Sequence, residues 1–299
     1  MTDAHDRLRA RLGRIGAWTF AFDERPAAQI AIDARAVEAL GFSALWVPEG
    51  GGSHDVLTHL GWLVANTERL TLASGIANIT ARQPDVLARG AALLEDASGG
   101  RVALGIGVGH EYTTEGRGGD WTGPVGRMRA YLDRMDEVGA APAPPRLLAA
   151  LGDVMLRLAA ERALGAHTYF VPPEHTARAR EVLGAEPVLA VEQTVVLSTD
   201  ARAAREVERS WAVHYLELPN YANNWRRLGF GDEDVAGSGS DRLLDAAIVQ
   251  GSVEDVVARV RAHLDAGADH VCVQVIAADD SDVCLPALRE LAPALLASA

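Results

Sequence analysis

The chain has 299 residues, 48% of them hydrophobic and 23% charged, a length that allows one large domain or two smaller ones. Its formal net charge of -13 excludes nucleic acid and anionic membrane as main partners, because both reward a basic surface, and leaves small molecules as the expected ligands. All 28 Lys+Arg positions are arginine, which rules out Schiff-base chemistry and a P-loop phosphate lysine.

A strand over Arg14–Thr19 leads to a helix that opens at Pro26, where a missing N–H costs nothing, and repeats apolar contacts at Ile30, Ala34, Val37 and Leu40 before Gly41. Ser43–Pro48 reads as the second strand, followed by a helix over Asp55–Asn66. The third is Leu70–Ala77 with a helix from Pro84, and the fourth is Arg101–Tyr112 with a helix around Gly126–Val138. Arg146–Leu151 is the fifth, and its helix carries Met155, Leu158, Ala159 and Ala163 on one stripe and stops at Gly165. The sixth is His167–Val171 with a helix over Pro173–Leu183. The seventh is Gln193–Ser198 with a helix over Asp200–Tyr215. An irregular excursion, residues 216–241, is dense in Asn, Gly and aromatics, as barrel lids and interfaces often are. Helices over Asp241–Val249 and from the capping box at Ser252 to Gly267, an eighth strand at His270–Ile276 and a closing helix at Leu285–Leu296 complete the pattern.

Strands separated throughout by helices imply a parallel sheet, and about eight units favour a closed (βα)8 TIM barrel, a single domain over 1–299, above an open doubly wound sheet. The glycines decide against a dinucleotide fingerprint, which wants G-x-G-x-x-G running into a helix near the first strand. Here Gly105, Gly107 and Gly109 are spaced by two, lie mid-chain and precede a polar loop. Because side chains alternate, these glycines and Ala103 share one face while Val102, Leu104, Ile106 and Val108 share the other. The apolar face should pack on the helices, and the bare face should leave a hollow at the barrel mouth for a flat ligand.

Cys272 and Cys284 have no metal-type spacing, so a reduced, cytoplasmic protein is the simple expectation. No apolar run is long enough to cross a bilayer, and the charged start of the chain has no signal-type apolar segment. His54 and His59 are five apart, a spacing that does not align two imidazoles on one helical face, and no metal site is expected.

Reacting groups in such barrels come from the C-terminal ends of strands. Glu49, before three glycines, is either a hydrogen-bond partner for a ligand's polar edge or an exposed loop carboxylate. Ser74-Gly75-Ile76 suits a bulge pushing backbone toward a ligand, or is an ordinary strand end. His110, at the rim of the glycine strand, can exchange a proton near neutral pH. Leu151 and Gly152 form a turn into a helix whose free N–H groups suit an anion, although Asp153 there is equally a helix cap.

Leu104-GIGVG-His110, Leu148-AALGDVMLRLAAERALGAHTY-Phe170, Pro172-PEHTARAREVLG-Ala185, Leu218-PNYANNWRRLG-Phe230 and Gly239-SDRLLDA-Ala247 together resemble the bacterial luciferase-like superfamily, and within it the coenzyme F420-dependent oxidoreductases. The resemblance implies a barrel with the deazaflavin ring across its mouth and a non-prolyl cis peptide within Ser74-Gly75-Ile76 behind it. It also implies backbone near Gly107 and Gly109 against the ring or ribityl chain, and the coenzyme phosphate at Leu151-Gly152. His110 stands where several relatives carry a catalytic Glu, and Asp153 where proline is common. His175 and Arg178 are candidate partners for the coenzyme's phosphate and acidic tail, Trp18 for an apolar wall, and Tyr221, Asn223 and Asn224 for a lid over the substrate. Hydride transfer to or from a small organic substrate is the expected reaction, with His110 as proton carrier. The alternatives are an FMN-dependent monooxygenase of the same fold and a non-catalytic cofactor- or metabolite-binding barrel. A homodimer is expected by analogy alone.

Overall fold

Alternation of side chains in short parallel strands sorts this chain into two apolar layers. In the computed structural model, which describes residues 4–23, 25–50, 52–118, 121–277 and 284–298, the strands are β1 (Ile15–Trp18), β2 (Ala44–Val47), β3 (Thr71–Ser74), β4 (Ala77–Asn78), β5 (Val102–Gly107), β6 (Arg146–Ala149), β7 (Gly165–Thr168), β8 (Val188–Leu197), β9 (Ile248–Gly251) and β10 (His270–Val275). Eight of them close a parallel barrel in the order β1-β2-β3-β5-β6-β7-β8-β10, with Ile15 opposite Val271 and His270 opposite Ala190 at the seam. Leu45, Val47, Leu72, Val102, Leu104 and Ile106 point outward into the layer beneath the helices. Trp46, Ala73, Ala103, Leu147, Ala190 and Cys272 fill the barrel. Within it Trp46 stacks on His167 at 4.4 Å and donates its indole N–H to His270 Nε2 at 3.0 Å, so this tryptophan is core.

Several boundaries differ from the pattern of the sequence. The helix predicted to Val249 ends at Ala247, and Ile248–Gly251 becomes β9, laid parallel to Thr194–Leu197 of β8. Two β-branched residues there find an edge that β7, paired only with Val188–Val191, leaves open. The strand predicted from Gln193 begins five residues earlier, because Val188–Val191 is buried on both faces and shows no alternation. Gly165 opens β7 instead of stopping a helix, and a Cβ there would collide with the Val188 carbonyl. A helix over Ala4–Leu12 goes unread in the sequence because only Leu8 and Leu12, one turn apart, are apolar enough to bury; they plug the bottom of the barrel.

The segment 216–241 is not irregular. It forms helices Pro219–Arg227 and Asp232–Val235, anchored by Trp225, which is 0% exposed, in a cluster with Phe170, Tyr221, Val235 and Leu243. Cys272 and Cys284 are both buried and neither is in a disulfide. No helix among the described residues is long and apolar enough to cross a membrane.

Candidate active site

The glycine face of β5 does point to the barrel side, but the hollow expected beside it is filled. A Cβ on Gly105 would collide with the Ser74 carbonyl, and one on Gly107 with the Ile76 side chain. The glycines therefore make room for neighbouring backbone and for Ile76, and hold that rim close; they do not themselves make a void. Ser74, fully buried, donates its hydroxyl to the Gly105 carbonyl at 2.8 Å, and the Gly75–Ile76 peptide is cis, at the place the family resemblance indicated. Gly75 donates its N–H to the Val47 carbonyl at 2.8 Å. Trp18, 2% exposed, lies against Gly75 with its indole nitrogen unpartnered. Gly109 has φ 73 and abuts the Asn78 side chain.

Open space lies above and to one side of that rim, in a cavity of about 1640 Å³ lined in part by Phe20, His110, Tyr112, Trp121, Tyr215 and Asn223. His110 precedes the short helix Glu111–Glu115, where its backbone N–H donates to Thr113 Oγ1 at 3.1 Å. Its ring is stacked with Tyr112 at 5.9 Å and tilted against Tyr221 at the same distance. Burial lowers the His110 pKa from 6.5, with a hydrogen bond to Asn220 acting against the shift, so the imidazole is neutral at pH 7. Behind the cavity an aromatic shelf runs through Tyr169, Phe170, Tyr215 and Tyr221; Tyr169 donates to Gln274 Oε1 at 2.7 Å and its hydroxyl meets that of Tyr215 at 2.8 Å. Beneath it, fully buried Glu192 accepts from the Thr194 hydroxyl (2.7 Å) and from the N–H of Phe170, which sits at φ 55. Desolvation pushes the Glu192 pKa up to about 7.

The predicted site residues separate into three groups. His110, Tyr221 and Asn223 meet at the cavity, with Trp18, Ser74, Gly75, Ile76, Gly107 and Gly109 at or below the β3–β5 rim. Glu49 stands apart from both: it takes the N–H groups of Val56 (3.0 Å) and Asn78 (2.8 Å) and a two-pronged contact from Arg82. With both oxygens so engaged, this carboxylate clamps the β2 loop to β4, which is structural work. The third group surrounds the turn after β6. The Leu151 carbonyl accepts from His175 Nε2 at 2.8 Å, Gly152 precedes the helix Asp153–Arg162, and Arg178 holds Asp153 through Nε (3.1 Å) and Nη2 (2.7 Å). Asn224 belongs here and not at the cavity, since its Oδ1 accepts from Arg227 Nη2 at 3.2 Å.

Sequence reasoning missed Phe20, Tyr169, Tyr215 and Arg227. Phe20 lies two residues past the end of β1 and Tyr169 directly follows β7, so the strand-end rule reaches both. Nothing local marks Tyr215 or Arg227, which come to the site through helix packing.

A closed parallel barrel with a broad cavity at its mouth, lined by aromatic and polar side chains together, belongs to the class of TIM-barrel enzymes that act on small molecules. Residues 13–270 match the model of the luciferase-like monooxygenase family, and the chain belongs to that family. Among its relatives, Rv3520c of Mycobacterium tuberculosis, named as a coenzyme F420-dependent oxidoreductase, is 35% identical over 114 residues, 36% of this chain and 31% of that protein. The chain thus matches about a third of that relative's length. The 5,10-methylenetetrahydromethanopterin reductase of Methanolobus tindarius is 25% identical over 292 residues, 82% of this chain and 90% of the reductase. The coenzyme F420 dependent tetrahydromethanopterin reductase of Methanopyrus kandleri has the same fold, with a TM-score of 0.71 and 18% identity over 94% of this chain and 99% of that one.

Proposed function

We propose that this oxidoreductase of the luciferase-like class uses coenzyme F420, and moves a hydride between the deazaflavin and a small organic substrate in the cytoplasm. The observation that carries the reading is the mouth itself: about 1640 Å³, with Phe20, Tyr112, Trp121 and Tyr215 among its walls and a neutral imidazole at its edge. Both a deazaflavin and a flavin suit the family, and the residues present fit a flat ring with a phosphate-bearing tail. Trp18 Nε1 is buried without a partner under the rim, and the β6 turn has an arginine in reach. Gly75, Ile76, Gly107 and Gly109 would hold the ring from the β3–β5 rim, and Leu151 and Gly152 the phosphate. When bound, a deazaflavin supplies a carbon that gives or takes a hydride and reacts poorly with oxygen.

The chain's own part is to orient, to exclude water and to move one proton. His110, neutral at pH 7, accepts the hydroxyl proton of a substrate being oxidised, at the ring nitrogen left free by Asn220. Phe20, Tyr112 and Trp121 wall the substrate, and Asn223 offers it a polar edge from the helix above. Glu49 supports this arrangement from a distance by fixing β4, and it is not assigned a proton. Titrating the purified protein with F420, FMN and NADPH tests the reading. Saturable quenching of deazaflavin fluorescence at micromolar protein is expected, and its absence would overturn the proposal. Tighter binding of FMN, with oxygen consumption once reduced, selects the monooxygenase reading instead, and coenzyme binding without any turnover selects the binding barrel.

We further propose a homodimer. The neighbouring helices Ala27–Ala39, Val56–Asn66 and Pro84–Ala97 leave Ile32, Trp62, Val86 and Leu93 exposed, an apolar set that a second copy would cover.

A further inference from the structure

Two arginines approach the turn after β6 from different elements, and their electrostatic states differ. Arg178, from helix Pro173–Leu183, is engaged at both ends by the carboxylate of Asp153. Arg227, the last residue of helix Pro219–Arg227, forms no ion pair among the described residues. Its Nη2 donates to Asn224 Oδ1 and lies 3.6 Å from the position a Cβ on Gly152 would occupy. Asp153 pairs with Arg178 and also acts electrostatically on Arg227, so one carboxylate faces two arginines and the turn keeps one net positive charge. Asn224 is 2% exposed, and its Nδ2, turned away from the oxygen that binds Arg227, has no partner. A buried amide N–H₂ without an acceptor is costly, and beside a guanidinium that makes no salt bridge to a carboxylate it marks a place for an anionic oxygen.

His175 is the weaker choice for that oxygen. Its Nε2–H is taken up by the Leu151 carbonyl, which leaves Nδ1 as an acceptor, and an imidazole so arranged meets an anion only by gaining a proton. Burial together with Arg227 and Arg178 lowers its pKa and opposes that gain.

We propose that Arg227, with Asn224, binds the coenzyme's phosphate in this chain, and that phosphate binding thereby seats helix Pro219–Arg227 over the mouth. The inference rests on the coenzyme reading above. It is carried by the geometry of one nine-residue helix. The C-terminal end of that helix reaches the Gly152 turn, while Asn220 and Asn223 line the cavity and the Tyr221 ring is tilted against that of His110 at 5.9 Å. A contact at one end therefore positions groups at the other.

The test compares each coenzyme with its phosphate-free counterpart: F420 against the same deazaflavin bearing only its ribityl chain, and FMN against riboflavin. Binding is read by fluorescence, and hydrogen exchange is read over residues 219–227. Wild type should bind the phosphate-bearing form of the preferred pair about ten-fold or more tightly, and only that form should slow exchange in the helix. Arg227→Ala should abolish that preference and leave the phosphate-free form within about two-fold; Arg227→Lys should recover part of it, because the charge returns without the fork. Equal weakening of both forms by Arg227→Ala, or no weakening of either, overturns the proposal while leaving the coenzyme reading in place. Failure of wild type to bind any of the four compounds overturns both.

Discussion

Two buried acids and bases in this barrel owe their protonation to desolvation, and each has a measurable consequence. His110 is held neutral by burial, so oxidation of substrate should fall as the pH drops through a pKa below 6.5, and that acid limb should vanish in His110→Ala. The same variant should lose about 10²- to 10⁴-fold in turnover while binding coenzyme within about two-fold of wild type. Unchanged turnover removes His110 from the reaction. Glu192 differs, since it does not itself line the cavity and lies behind it, facing the phenols of Tyr169, Tyr215 and Tyr221 and the thiol of Cys272. Its pKa rises from 4.5 to about 7 on folding, so the native state keeps a proton that the unfolded chain has released. Stability from this group is complete below pH 4.5 and declines as the pH rises to about 7, by roughly 3 kcal/mol in all. Glu192→Gln should remove that slope, as read by urea unfolding at pH 5 and pH 8, and a mutant with the wild-type slope would place the carboxyl in water.

At the level of elements, the site depends on a close fit between β3, β4 and β5. Gly107→Ala pushes a methyl into Ile76 Cγ1 and Cδ1, while its other neighbour, Ala149 Cβ, is 3.2 Å away and nearly tolerable. The single variant should cost about 1–3 kcal/mol, and Ile76→Ala in the same chain should restore part of it, a coupling that a thermal double-mutant cycle detects. Additive losses would mean that the two side chains do not meet. Glu49 tightens the same region from outside the barrel. Removing its charge by Glu49→Gln leaves Arg82, whose side chain is 7% exposed, with only Asp55 for compensation, and should cost roughly 3 kcal/mol in chemical denaturation. A loss that leaves coenzyme affinity unchanged fits the clamp; a loss confined to turnover fits a catalytic carboxylate instead.

For the whole molecule, the barrel separates its features around one ring: the hydrophobic seal is at the bottom, where Leu8 and Leu12 enter, and the open cavity is at the mouth. The exposed apolar set on three adjacent helices lies on the outer wall and away from both. Trp62→Glu should convert the protein from dimer to monomer by light scattering, with turnover retained if each mouth is complete in one chain. A wild-type monomer at micromolar concentration would sink the dimer proposal.

The sequence by itself determined the ring of strands and their inward and outward faces, because a two-residue period and helix-capping residues are local properties, while several strand ends shifted by up to five residues, as Gly107 in place of Tyr112 shows. Those same local rules placed His110, Gly75-Ile76 and Leu151-Gly152 at strand ends. What lies opposite each of them is a question of distant partners, which only tertiary structure answers. Ile76 fills the space that the glycines of β5 seemed to leave open, and Arg82 consumes the charge of Glu49. Asp153 occupies Arg178, and a helix sixty and more residues downstream brings Arg227 to Gly152. A side chain's type sets what it is able to do, but the neighbours that folding delivers decide whether its charge, its proton or its empty space is still available.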